Sequence, residues 1–438
     1  MQIAEQLSPT GATRVHATND GHSRPVQKRV VAATVAGNAL EFYDFVTYAF
    51  FAVYIGKAFF PSSTPLGSLL LSVAVFGVGF ITRPLGGVII GAYADRVGRK
   101  PALLLTIVLI TVGTLGLALT PTYASIGVSA PIIIVICRLV QGFALGGEVG
   151  PSASFLIEGA PAHQRAIYGS WQLASQGLAT LVAGLIGMAV TFSLDQASLQ
   201  SWGWRVPFAV GLLLLPVAFY LRSNMLETRV EVDASSMKSV SSELHRNRWT
   251  ITLAVFVLMG STVANYVATY MTTFGITTLK LPPVVSMLAT VAVGASTIVF
   301  ALLSGWLCER HGRRTMMIWP RFLAAIIVVP AFLLLTAHPS AWTLLLATGI
   351  LSATTALSGS AAIVAIPELL PHGIRSTGMS IAYALGVSIF GGSTQFIVTW
   401  LIGVTGSPMA PAWYVTLTSL LALLAMMALP ETRGQALR

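Results

Sequence analysis

Gly91-Ala92-Tyr93-Ala94-Asp95-Arg96-Val97-Gly98-Arg99-Lys100 and Gly305-Trp306-Leu307-Cys308-Glu309-Arg310-His311-Gly312-Arg313-Arg314 share one pattern, 214 positions apart. In each, an apolar run ends on a glycine, then an acid beside an arginine, a second glycine and a basic pair. The pattern is not alone. Glu158-x-x-Pro161-x-x-x-Arg165 returns as Glu368-x-x-Pro371-x-x-x-Arg375 after 210 residues, and Glu227-Thr228-Arg229 returns as Glu431-Thr432-Arg433 after 204. Three ordered coincidences at nearly constant offset mean that the chain is two parallel copies of one unit.

The runs between these signatures identify the unit. Of 438 residues, 55% are hydrophobic and 9% charged, far from the quarter charged of soluble domains. Apolar segments of bilayer-crossing length fall near 30–56, 66–93, 101–120, 129–156, 166–192 and 205–221, then 249–276, 284–308, 315–336, 341–366, 374–404 and 411–430. The predicted fold is an all-α membrane protein of twelve transmembrane helices, six per half. The expected organisation is a cytosolic tail (1–29), a six-helix half (30–221), a cytosolic linker (222–248), a second half (249–430) and a short cytosolic tail (431–438). With alternating crossings, nineteen Lys and Arg fall on the side of the termini, and only Lys57, Arg205 and Lys280 on the other. The positive-inside bias therefore puts both termini in the cytosol of a cell (inner) membrane, and it explains the net charge of +10 without nucleic acid. The polar first 28 residues hold no apolar core and are not a signal peptide. Cys137 and Cys308 lie far apart in apolar runs, which argues for packed free thiols rather than a disulfide or metal site.

Finer motifs carry a family likeness. Gly37-Asn38-Ala39-Leu40-Glu41-Phe42-Tyr43-Asp44-Phe45, Arg83-Pro84-Leu85-Gly86-Gly87, Arg138-Leu139-Val140-Gln141-Gly142-Phe143 and Trp202-Gly203-Trp204-Arg205-Val206-Pro207-Phe208, together with the doubled basic loops, resemble the major facilitator superfamily over residues 30–430. Within it they resemble the metabolite–proton symporters, and most of all the citrate and tricarballylate carriers. Pro151, Ala166, Gln395 and Glu309 depart from that pattern, where Gly, Gly, Pro and Asp would be expected. The resemblance implies alternating access around a cavity between the halves, lined by helices 1, 4, 7 and 10 with 2, 5, 8 and 11.

Charges inside the spans are the candidate chemistry, because each costs at least about 2.5–3.5 kcal/mol at the membrane centre. They are Glu41, Asp44, Glu148, Arg83, Arg138 and Arg321. Glu41 lies twelve residues beyond Arg29 and Arg83 twelve before Asp95, which puts both about 18 Å from the cytosolic boundary. Glu41 and Asp44 share a helical face, and such a carboxylate pair suits a carrier that loads and unloads a proton, with Asp44 ahead and Glu148 in reserve. The competing reading is a permanent ion pair with Arg83. Arg83 and Arg138 offer planar forks for substrate carboxylates, and Arg138 alternatively pairs with Glu148 near the outer boundary. Arg321 reads as a side chain that snorkels to the interface. Polar residues completing the expected substrate site are Asn38, Tyr48, Gln172, Gln176, Asn265, Tyr266, Tyr270, Tyr383 and Gln395, about half of them helix-to-helix glue. Asp95, Arg96, Arg99, Glu309, Arg310 and Arg313, with Glu158, Arg165, Glu368 and Arg375, are expected gating latches at the cytosolic end, where Gly91 and Gly305 allow close approach. Gly142, Gly146 and Gly150 form a packing stripe.

The function expected is proton-driven uptake of an organic acid, citrate or another di- or tricarboxylate first. The alternatives are an osmolyte carrier for proline or betaine and a nutrient sensor that does not transport. No nucleotide-phosphate motif or catalytic nucleophile is present, so no enzyme activity, metal or cofactor is expected. The partners expected are a small organic acid, protons and membrane lipid, with the monomer as the working unit.

Overall fold

A computed structural model describes residues 28–97, 99–146, 160–161, 163–223 and 242–435. The first half comprises α1 (Lys28–Phe50, continued by Ala52–Phe59), α2 (Pro65–Ile81 and Arg83–Val97), α3 (Arg99–Leu119), α4 (Ser129–Leu145), α5 (Arg165–Ser193) and α6 (Val206–Ser223). The second comprises α7 (Arg248–Thr277), α8 (Pro283–His311), α9 (Arg313–Ala337), α10 (Ala341–Leu369), α11 (Arg375–Leu385, Gly386–Gly391 and Gly392–Thr405) and α12 (Ala410–Ala428). Among the described residues nine helices are long and apolar enough to cross a membrane; α4 and the region of α6 are shorter apolar helices, and α1 completes twelve. The protein is a multi-pass membrane protein. Its outer surface agrees, since Leu213, Phe192, Trp249 and Trp342 are largely exposed, as lipid-facing side chains are.

Helix ends follow local chemistry. Thr64 accepts from the Gly67 amide at 3.1 Å ahead of Pro65, which starts α2, and Ser340 with Thr343 forms a capping box for α10. Gly312, at φ +91°, separates α8 from α9 in a conformation that L side chains rarely adopt. The Glu431 carboxylate caps the start of α9, accepting from the Arg313 and Arg314 amides at 2.8 and 3.0 Å. α11 is interrupted by a π-helical turn over Gly386–Gly391, a distortion often found at functional sites.

Glycines set the two seams that place the site. α4 lies backbone to backbone on α2: a methyl at Gly142 would overlap the Gly79 carbonyl, and one at Gly146 that of Arg83. Gly150 lies outside the described residues. Between the halves, α5 and α8 touch along their length, at Gly305 against Ala166 and Ser170, Gly294 against Leu181, and Gly184 against Thr290. On the other side of the bundle Gly392 of α11 meets Phe80 and the Gly77 carbonyl of α2. Gly305 makes the expected close approach, to Ala166 and Ser170; a methyl at Gly91 would meet no neighbour within 4 Å among the described residues, and the continuation of α4 beyond Gly146 lies outside them.

Candidate substrate and proton sites

A small cavity lies between the halves at mid-length of the helices. Phe42 of α1 and Gln176 of α5 face Ser261, Asn265 and Tyr266 of α7, Ser352 and Thr355 of α10, and Tyr383 of α11. Its hydroxyl, amide and aromatic groups are set among aliphatic side chains such as Leu173, Leu258 and Ile363. A second, smaller cavity shares Tyr383 and Val387 with the first and is lined by Arg83. Among the described residues, Arg83 is the one charged side chain that lines either space.

Among the described residues Arg83 is held by π-faces, and no acid pairs with it. Its guanidinium lies 4.4 Å from the Phe45 ring centroid and 4.0 Å from that of Phe80, and its Nε and Nη2 have no hydrogen-bond partner. Such stacking fixes the plane of the fork while leaving donors free for a planar anion. Phe76 and Phe80 of α2 pack edge-on against Tyr266 of α7, at centroid separations of 5.9 and 5.5 Å, and join the halves next to Arg83.

Arg138 also lies over Phe45, 4.8 Å from the same centroid and 4.6 Å from that of Tyr48, with no exposure. Arg138 Nη1 donates to Gln141 Oε1 at 2.8 Å, and Gln141 Nε2 donates to Asp44 Oδ2 at 2.5 Å and to Thr114 Oγ1 at 3.1 Å. Asp44 is 2% exposed, and its Oδ1 has no partner. A Cβ built at Gly211 of α6 would lie 3.7 Å from that oxygen, so Asp44 looks into the first half rather than into the cavity. The arrangement is a buried carboxylate with one unpartnered oxygen, tied through an amide to an arginine that shares the Phe45 ring with a second arginine. The permanent Asp44–Arg83 ion pair is absent, because no nitrogen of Arg83 lies within bridging distance of Asp44.

The remaining expected residues divide. Gln176, Asn265, Tyr266 and Tyr383 line the central cavity. Asn38 donates to Ser175 Oγ at 2.6 Å and accepts from Gln172 at 3.3 Å, which clasps α1 to α5. Tyr48 donates to the Ser72 carbonyl at 3.2 Å, and Tyr270 accepts from Thr399 at 3.0 Å. Those four bond helix to helix. Gln395 is buried, lines neither cavity, and has both amide atoms unpartnered. Arg138 lines neither cavity, since Gln141 and the aromatic rings hold it inside the first half. Arg321 does not snorkel: it has no exposure and bonds to α7, donating to the Gly260 carbonyl at 3.0 Å and to Ser261 Oγ at 2.8 Å. Glu148 and Glu158 lie outside the described residues. The side chains of Glu41, Asp95, Arg96 and Arg99 do too, although their backbones belong to α1, α2 and α3.

Gln141 was quoted above without a role, and its signal was available: it stands three residues after Arg138, on the same helical face. Ser261 carried no signal, because a single serine in an apolar run has many harmless uses.

At the end of the bundle that carries the signatures, Glu309 Oε1 accepts from the Ala166 amide at 2.7 Å, which joins α8 to the start of α5 across the halves. Arg313 pairs with Glu309 at 2.9 Å and with Glu368 at 3.2 Å. Thr432 donates to Glu368 at 2.5 Å, Arg165 to the Gln435 carbonyl at 3.2 Å, and Arg375 to the Pro367 carbonyl at 3.0 Å. Arg310 instead stacks over Trp306 at 3.8 Å.

A twelve-helix bundle of two like halves, with buried charge beside a cavity between them, defines the class of secondary membrane transporters. The sugar (and other) transporter family matches this chain twice, over residues 30–228 and 217–438, and the chain belongs to it and so to the major facilitator superfamily. Relatives include a citrate-proton symporter of Salmonella typhi, 35% identical over 92% of this chain and 94% of that one, and an alpha-ketoglutarate permease of Escherichia coli K12, 34% identical over 93% and 94%. A proline/betaine transporter of Salmonella typhimurium is 29% identical over 99% of this chain and 89% of its own. Among solved structures, the xylose transporter XylE from E. coli superposes with TM-score 0.76 at 18% identity, over 93% of this chain and 99% of that one.

Proposed function

We propose that this protein is a proton-coupled symporter that takes an organic acid into the cell by alternating access, with citrate, or another di- or tricarboxylate, as substrate. The observation that carries the reading is the linked set of Asp44, Gln141 and Arg138, with Arg138 and Arg83 both over the Phe45 ring. It supplies a buried group able to hold a proton next to a fork-shaped cation beside the cavity. The two carboxylate-carrying relatives support the substrate class. In this reading Arg83 receives a substrate carboxylate, and Gln176, Asn265, Tyr266 and Tyr383 complete the site. Asp44 carries the proton, with Glu41 and Glu148 as further candidates. The protein resides in the cell (inner) membrane with both termini cytosolic, as the one-sided Lys and Arg favour, and works as a monomer. Its six-helix units span 30–221 and 249–430. Glu309, Glu368, Arg165, Arg313 and Arg375, with Asp95, Arg96 and Arg99, hold the cytosolic end closed until the halves rock apart.

Proton coupling has a thermodynamic reason. An anion entering against an inside-negative potential climbs about 2.3 kcal/mol per charge per 100 mV, so accumulation requires compensating protons. The test is uptake into proteoliposomes of labelled citrate, 2-oxoglutarate, proline and betaine, with and without an inward proton gradient. Gradient-driven accumulation of carboxylates alone is expected. Accumulation of proline or betaine in their place would support the osmolyte reading, and binding without counterflow would support a sensor.

A further inference from the structure

We infer that Arg321, although it touches neither cavity, biases Ser261 toward donating its hydroxyl proton into the central cavity, and that this donor recognises a carboxylate of the substrate. The inference rests on the organic-acid reading above and adds a second recognition point, in the opposite half from Arg83.

Arg321 stands eight residues into α9, about 12 Å along the helix, and is fully buried. Among the described residues no carboxylate pairs with it; its hydrogen-bond acceptors are the Gly260 carbonyl and Ser261 Oγ, both on α7, and its Nε has none. A buried guanidinium without a counterion is costly, and packing alone would be served as well by an apolar side chain. The missing negative charge has a natural source in an anion held in the adjoining cavity, whose wall includes Ser261.

The hydrogen-bond inventory then sets the polarity of Ser261. A guanidinium only donates, so the 2.8 Å bond uses a lone pair of the serine oxygen. The serine proton is left over, and no acceptor for it stands among the described residues. It is free to point into the cavity, where the cation behind it polarises the O–H bond, as successive hydrogen bonds strengthen one another in a low dielectric. A serine without Arg321 can serve equally as donor or acceptor; with Arg321 one lone pair is taken and the positive charge behind the oxygen disfavours a second donor at the other, so donation toward the cavity is favoured. The cavity thereby discriminates in favour of ligands that present acceptor oxygens there, and against those that present a donor.

Arg321 is thus a positioning residue, and its action through Ser261 makes the test specific. Ser261→Ala, Arg321→Gln and the double variant are reconstituted in proteoliposomes, and their KM and kcat for citrate uptake are compared after folded yield is checked by size exclusion. The expected result is a rise in KM of about tenfold in each single variant with kcat held within twofold, the scale of one charge-assisted hydrogen bond. The double variant should be no worse than the more affected single variant, and Arg321→Lys, which keeps a donor and the charge, should recover part of the loss. An unchanged KM in Ser261→Ala, which removes only a hydroxyl and is the variant most certain to fold, overturns the inference. Losses that add in the double variant, or that fall on kcat and folded yield with KM intact, also overturn it and leave Arg321 as a brace between α7 and α9. A wild-type protein that takes up proline or betaine and no carboxylate overturns the underlying reading instead, so the two failures are distinguishable.

Discussion

Glu309→Gln isolates the bond that crosses between the halves at the end carrying the basic signatures. The wild-type carboxylate accepts from the Ala166 amide at 2.7 Å and also holds Arg313 at 2.9 Å. Arg313 belongs to the same half as Glu309 and keeps its second partner, Glu368, at 3.2 Å. Whatever the substitution costs on that side is paid whether the seam is shut or open, so it cancels from the balance between states. The Ala166 bond does not cancel, because it exists only while α5 and α8 are together at this end. A hydrogen bond to a charged group contributes about 1.5–3 kcal/mol and a neutral one about 1 kcal/mol. Replacing carboxylate by amide therefore shifts the equilibrium toward the opened seam by about 0.5–2 kcal/mol, or roughly two- to thirtyfold. Glu309→Ala, which leaves the Ala166 amide with no acceptor, should shift it about ten- to a hundredfold.

The reporter is Ser170, fully buried on α5 against Gly305 of α8. Ser170→Cys in a background with Cys137 and Cys308 replaced by Ser should be alkylated faster in the substrate-free protein by those factors, in the order wild type, Gln, Ala. Rates equal within twofold in all three would refute the reasoning and reduce the Glu309 contact to a local helix cap.

Three further outcomes follow from the same geometry. Asp44→Asn should abolish accumulation driven by a proton gradient while exchange between equal pools survives, since exchange moves no net proton; retained gradient-driven uptake moves the proton site elsewhere. Arg83→Lys should raise KM for a carboxylate by about tenfold or more with folding intact, because the ammonium keeps the charge but loses the fork and the stacking on Phe45 and Phe80; an unchanged KM removes Arg83 from the site. Gly142→Ala should cost about 1–3 kcal/mol and lower the melting temperature by several degrees, whereas Gly349→Ala on α10, where a methyl would meet nothing within 4 Å among the described residues, should not lower it; equal shifts in both would contradict the α2–α4 contact.

The fold was legible because its main signals are of the kind a sequence displays openly. Apolar run length, charge asymmetry and the doubled loops each depend on residue type and order alone, and each leads to twelve helices in two halves. The interrupted helices were not legible. The expected span at 374–404 hides the π turn of Gly386–Gly391, which exists because Gly391 and Gly392 must fit against Tyr266 and Phe80 from other helices. The site was half legible for a similar reason. Depth along a helix follows from counting, so Asp44, Arg83 and Arg138 were singled out; azimuth between helices does not. Asn38 and Gln172 therefore look as suitable for a substrate as Gln176 and Asn265, yet the first two bond to each other and the last two line the cavity. Arg321 shows the limit from the other direction, since a charge near a helix end invites a snorkelling reading that only its bonds to α7 overturn.

The separation of Asp44 from Arg83 also determines the sign of coupling. The two guanidiniums lie over Phe45 at 4.4 and 4.8 Å from its centroid, so they stand no more than about 9 Å apart. At an effective dielectric constant of about 20, two like charges at that distance repel by about 2 kcal/mol. With Asp44 ionised, its charge reaches Arg138 through Gln141 and offsets much of that repulsion. With Asp44 protonated, no carboxylate among the described residues offsets the two cations, and an anion seated on the free donors of Arg83 beside the cavity would relieve them. Proton binding at Asp44 therefore strengthens anion binding at Arg83, and by linkage the anion strengthens proton binding equally. A direct Asp44–Arg83 pair would have coupled them as well, but by blocking the substrate's own ligand. In the proposed reading, interposing Arg138 and Phe45 keeps Arg83 open in both protonation states, so that proton and acid strengthen each other's binding in whichever order they arrive.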